Sequence, residues 1–119
     1  MDINEYSELA LRTANDLGPT GDLLHAALLI SSEAGEVADV VKKNFAYGKS
    51  LDRIHLLEEL GDLAWGMNLM IKTAGLTWGQ VLGANIAKLE KRYPDLRFSA
   101  EHALNRHSQL ELDAINKVL

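Results

Sequence analysis

Leu23-Leu24-His25-Ala26-Ala27-Leu28-Leu29-Ile30-Ser31-Ser32-Glu33-Ala34-Gly35-Glu36-Val37-Ala38-Asp39-Val40-Val41-Lys42-Lys43 decides the fold. It contains no proline and no period-two alternation, so it reads as one helix, from about Gly21 to Phe45 with Thr20 as N-cap. Its first half is apolar on nearly every face, which predicts deep burial. Lys42 and Lys43 fall in its last turns, where cations suit the helix dipole. Upstream, Leu17-Gly18-Pro19-Thr20-Gly21 is turn chemistry, and Ile3, Tyr6, Leu9 and Ala10 give an amphipathic first helix over about Asn4 to Asp16. Downstream, Tyr47-Gly48-Lys49-Ser50 is a loop before a third helix from about Leu51 to Ala74, stopped at Gly75. Thr77-Trp78-Gly79-Gln80 fits a capping box for a fourth helix that ends near Arg92, before Pro94. Ser99 caps a short helix over Ala100 to Asn105, and Leu110 to Val118 is a last amphipathic segment. The expected class is all-α: a four-helix-bundle-like single domain over residues 1–119, with its core at about 4–93 and a helical extension at about 99–118.

Composition narrows the function. The 119 residues include no Cys, 12 Lys plus Arg and 17 Asp plus Glu, for a formal charge of −5. No Cys means no disulfide scaffold, no thiolate metal ligand and no thiol nucleophile. The acidic balance argues against a nucleic-acid partner, which would require a basic face. No apolar run approaches the roughly 20 residues of a membrane span, and Met1-Asp2-Ile3-Asn4-Glu5 lacks the positive start of an export signal, so a cytoplasmic location is expected.

The chemistry lies in two short repeats. Ser32-Glu33-Ala34-Gly35-Glu36 and Glu58-Glu59-Leu60-Gly61-Asp62 each carry acid-x-Gly-acid. Acids at i and i+3 share one helix face and repel. The internal glycine costs each helix about 1 kcal/mol relative to alanine. Two unfavourable choices repeated on two apolar helices have one economical cause, a hard divalent cation held by carboxylate oxygens. If the helices pack antiparallel, Glu33, Glu36, Glu59 and Asp62 converge. Gly35 and Gly61 would then admit close approach by a backbone, a ligand or a second subunit. A lone acid pair of this kind usually marks a solvated face, so the duplication carries the weight. A di-iron centre would need Glu-x-x-His on its helices, and none occurs. Asp22-x-x-His25 and Asp52-x-x-His55 have aspartate instead, and each His fits a surface or capping role.

These residues resemble the MazG family of all-α nucleoside triphosphate pyrophosphohydrolases, in its short bacterial and phage form. The similarity runs from Leu23-Leu24-His25-Ala26-Ala27 through Glu33 to Lys43, Glu58 to Leu63, Asn85-Ile86-Ala87-Lys88-Leu89-Glu90-Lys91-Arg92-Tyr93-Pro94 and Phe98-Ser99-Ala100-Glu101. The family pattern often has an acid where this chain has Ser32. The resemblance implies Mg²⁺-dependent hydrolysis (Mn²⁺ substituting) of an NTP or dNTP to the monophosphate and pyrophosphate, cleaning or regulating a nucleotide pool. It implies Glu33, Glu36, Glu59 and Asp62 as metal ligands, with metal-activated water as nucleophile. Glu36 or Glu59 could take the proton; sequence does not choose.

Asn85, Lys88 and Arg92 share a face of the fourth helix and can meet phosphate or a sugar hydroxyl, although an ordinary solvated basic face has the same pattern. Trp65 stands on the Asp62 side of its helix and could stack on a base, or simply pack. His25, two turns before Glu33, could approach substrate or serve the core. A homodimer or homotetramer is expected, both because the start of the second helix is too apolar for a thin monomer and because the resembled family builds its sites between subunits. The rival reading is a non-catalytic helical dimer that binds a nucleotide or protein as a regulator.

Overall fold

The structure, a computed structural model, describes residues 1–119. Every regular element is a helix: α1 Ile3–Leu11, α2 Gly18–Tyr47, α3 Arg53–Thr73, α4 Trp78–Arg92, α5 Ala100–Leu104 and α6 Ser108–Asn116. None is long and apolar enough to cross a membrane. The helices form two compact units, Met1–Gly75 and Leu76–Leu119.

In the first unit α2 and α3 pack as an antiparallel pair. The expected start of α2 is corrected by one turn: Gly18 and Pro19 belong to the helix, and Thr20 does not cap it. Proline is tolerated there because the first-turn N–H groups have no helical acceptor. Instead the Asp22 carboxylate accepts from the Leu17 N–H at 3.1 Å. Gly48 ends α2 at φ +65°, a left-handed cap that glycine adopts without a side-chain clash. Asp52 caps α3 by accepting from the His55 N–H at 3.0 Å. The first helix also ends earlier than the periodicity predicts, at Leu11, where the Thr13 hydroxyl donates to the Ala10 carbonyl at 2.7 Å.

The close approach of α2 and α3 occurs at Gly66, not at Gly35 or Gly61. A Cβ at Gly66 would meet Leu29 and Ile30 side-chain carbons at 3.3 Å, whereas nothing in the chain lies within 4 Å of one at Gly35 or Gly61. Those two glycines therefore admit no neighbouring backbone of their own chain. Gly66→Val should push the pair apart and cost about 2 kcal/mol, as overpacked interfaces do. Chemical denaturation followed by far-ultraviolet circular dichroism measures it, and an unchanged midpoint would show that the two helices are not held at this point. α1 joins through Asn68, whose buried amide donates to the Ser7 carbonyl at 3.2 Å.

The deep burial expected for α2 is not found within one chain. Ala26 and Val40 are its buried residues. Leu24 and Leu28 are 60% and 61% exposed, and on α3 Ile54 and Leu57 are 79% and 71% exposed. The single chain supplies no cover for these side chains.

In the second unit, α4 begins with the expected capping box. Gln80 N–H donates to the Thr77 hydroxyl at 3.1 Å, and Thr77 N–H donates to the Gln80 side-chain oxygen at 3.0 Å. Ser99 caps α5 as expected. α4 is tied to α6 by Glu111, a buried carboxylate that accepts from Arg92 Nε at 2.9 Å and Nη2 at 3.1 Å. Arg106 adds a third bond at 3.2 Å. The Arg92 hydrogen bond leads in holding the Glu111 carboxyl down at about 2, against the opposing effect of burial and with further help from Arg106.

Candidate active site

Glu33 on α2 faces Glu59 and Asp62 on α3, and one carboxylate oxygen from each lies within 4.8 Å of the other two. The antiparallel packing produces this meeting: Gly66 lies against Leu29 and Ile30, so one helical turn further along the pair Glu33 comes opposite Asp62 and Glu59. Glu59 is buried, Glu33 half-buried and Asp62 exposed, so the group grades from interior to surface. Desolvation raises the Glu33 pKa; a hydrogen bond shared with Glu59 and the negative charges of Asp62, Glu59 and Glu36 add to it. Such crowding favours a proton or a cation. Three oxygen donors with a solvent-facing side suit a hard divalent ion that keeps some of its waters.

Glu36, the fourth acid of the sequence pattern, is exposed and stands outside that group, although its charge is felt at Glu33. A second group forms on α3 alone, where His55, Glu58 and Glu59 bring ligand atoms within the same 4.8 Å. His55 Nε2 is 2.6 Å from Glu59 Oε1. Glu59 thus belongs to both groups. His55 is more than the capping or surface residue expected, and its i, i+4 spacing to Glu59 was the available signal. Tyr6 had no such signal. It reaches the site from α1, and its hydroxyl pKa is raised by burial first and by the Asp62 charge second.

His25 and Trp65 meet edge to face, with ring centroids 6.1 Å apart. The Trp65 indole N–H donates to the Thr13 hydroxyl at 2.8 Å, which ties the α3 ring to the link between α1 and α2. His25 Nδ1 is buried and has no hydrogen-bond partner. In the second unit, Asn85 is exposed and Lys88 half-buried on α4. Arg92 of the same face is engaged by Glu111, so its guanidinium already has a carboxylate partner. Lys42 and Lys43 both pair with Asp39, at 2.9 and 2.6 Å.

The family model for the MazG nucleotide pyrophosphohydrolase domain matches residues 21–97. That segment holds Glu33, Glu36, Glu58, Glu59 and Asp62, together with Asn85, Lys88 and Arg92. No curated protein and no solved structure matches the chain.

Proposed function

Because the chain belongs to the MazG nucleotide pyrophosphohydrolase family, we propose that it hydrolyses a nucleoside or deoxynucleoside triphosphate to the monophosphate and pyrophosphate. The convergence of Glu33, Glu59 and Asp62 from two helices inside the matched segment carries this reading. These three residues, with Glu36 beside them, would hold Mg²⁺ (Mn²⁺ substituting). Bound there, the ion would neutralise phosphate charge and lower the pKa of a water. In the reaction, the oxygen of water bonds to the α-phosphorus and the bond to the bridging oxygen breaks. Pyrophosphate leaves with the electron pair. Glu59, buried and hydrogen-bonded to His55, is our choice for the proton acceptor, with Glu36 as the alternative; the His55 contact and the burial support the choice.

Asn85 and Lys88 supply a hydrogen-bonding amide and a cation for phosphate or sugar oxygens. Arg92, held on Glu111, contributes by keeping α4 and α6 together. Trp65 is the aromatic ring assigned to a nucleobase, with His25 in edge-to-face contact with it. Incubating the protein with a panel of NTPs and dNTPs plus Mg²⁺, and resolving the products, tests the reading. Monophosphate and pyrophosphate support it. Diphosphate and phosphate would move the attack to the terminal phosphorus, and no product would favour a nucleotide-binding regulator.

We also propose that the exposed apolar faces of α2 and α3 are covered by a second copy, as a homodimer or a pair of dimers. Leu24, Leu28, Ile54 and Leu57 supply the apolar area, and the open space at Gly35 and Gly61 lets another backbone approach. Leu28→Asp with Leu57→Asp should convert the assembly to monomer in sedimentation velocity while leaving helicity intact. A double variant that sediments as the parent does would place the interface elsewhere.

A further inference from the structure

Between residues 42 and 55 this acidic chain gathers Lys42, Lys43, Lys49, Arg53 and His55, with Asp52 as the one acid. The turn they occupy encloses a cavity of about 250 Å³ lined by Val40, Lys43, Lys49, Ser50, Asp52 and His55. The turn is held in shape, since Asn44 Nδ2 donates to the Lys49 carbonyl at 2.6 Å and the Asp52 carboxylate is occupied in capping α3. Lys43 has Asp39 as its partner. The Lys49 ammonium and the Ser50 hydroxyl have none in the protein, so they bring an unpaired ammonium and a free donor to the cavity wall beside the capping Asp52 carboxylate.

His55 connects this cavity to the acids. It lines the cavity, and its Nε2 lies 2.6 Å from Glu59 Oε1. Along α3 it precedes Glu59 by four residues, about 6 Å of helix rise. The α- to γ-phosphate run of a nucleotide has a similar reach. We propose that this cavity receives the β- and γ-phosphates of the substrate and then holds the pyrophosphate that leaves. The proposal deepens the hydrolytic reading and rests on it for the position of the α-phosphate. Its physical basis is charge. Pyrophosphate departs from a site walled by carboxylates, and a lysine with no carboxylate partner, in the cavity that His55 also lines, offers it a charge-assisted hydrogen bond.

The test is calorimetric titration of inorganic pyrophosphate, with Mg²⁺ present, into the parent, Lys49→Ala and Lys43→Ala/Lys49→Ala. Lys49→Ala should weaken binding about ten-fold and the double variant about a hundred-fold, in line with loss of one and then two charge-assisted contacts. Binding of a nucleoside monophosphate should change less than about two-fold, because the α-phosphate end lies at the acids. Circular dichroism confirms that the variants are folded, and Lys49→Ala leaves the Asp39 pair undisturbed. A parent protein that binds no pyrophosphate, or a folded double variant that binds it as the parent does, overturns the proposal. Turnover is read separately. Loss of pyrophosphate binding in Lys49→Ala supports the cavity even if no triphosphate is hydrolysed, whereas hydrolysis with pyrophosphate inhibition unmoved by Lys49→Ala leaves the reaction standing and removes the cavity from it.

Discussion

Glu59→Gln should lower kcat by about a thousand-fold, or about 4 kcal/mol of transition-state stabilisation, with the helical content unchanged. Glu59 is the one acid that belongs to both oxygen-rich groups, and it is 8% exposed. Glutamine keeps the shape and the hydrogen-bonding reach toward His55 but removes the charge and the basic oxygen. Asp62→Asn, at the exposed margin, removes a cation ligand with less disturbance of the interior and should cost less. Single-turnover kinetics at saturating Mg²⁺ separates the two. Near-parental rates in Glu59→Gln would remove that carboxylate from the chemistry and return the base to Glu36.

The second large effect is on stability. Glu111→Ala leaves the Arg92 guanidinium, 17% exposed, without its carboxylate, and should lower the melting temperature by roughly 10 °C. The effect is pH-dependent. The Glu111 carboxyl titrates at about 2 in the folded chain against 4.5 ordinarily, so its stabilisation is complete above pH 4.5 and is lost as the pH falls from 4.5 toward 2. Asp39, held down at about 2 by Lys43 and Lys42 against 3.8 ordinarily, makes a contribution common to parent and variant that is lost between pH 3.8 and 2. Thermal melts of parent and variant should therefore differ at pH 7 and converge near pH 2. A constant difference across that range would mean that the Arg92 pairing does not stabilise the fold.

Much of the fold could be read from local chemistry. The Thr77–Gln80 box, the Ser99 cap and the stop at Gly75 each depend on residues three or four apart, and each stands where spacing placed it. The start of α2 departs from the spacing because Gly18-Pro19 serves equally as a turn or as a first helical turn, and the bond that accompanies the helix start comes from Asp22, five residues from Leu17. The Glu33–Glu59–Asp62 group was legible because two identical unfavourable spacings recur on two helices. Tyr6 and the Trp65–Thr13 bond were not, since both depend on how α1 lies against α3. Glu111 was missed for the same reason: its partners lie on α4 and in the stretch before α6, and as a lone acid in an amphipathic segment it carries no mark of burial.

The wet leucines of α2 and α3, with Phe45 at 89% exposure, bear on how the chain behaves when scarce. Apolar area in water seeks any surface, so a nanomolar solution should lose material to plastic and glass, and a freshly synthesised chain is a natural client for chaperones that recognise greasy helices. Specific activity should then climb with enzyme concentration, and a small amount of carrier detergent should flatten that climb.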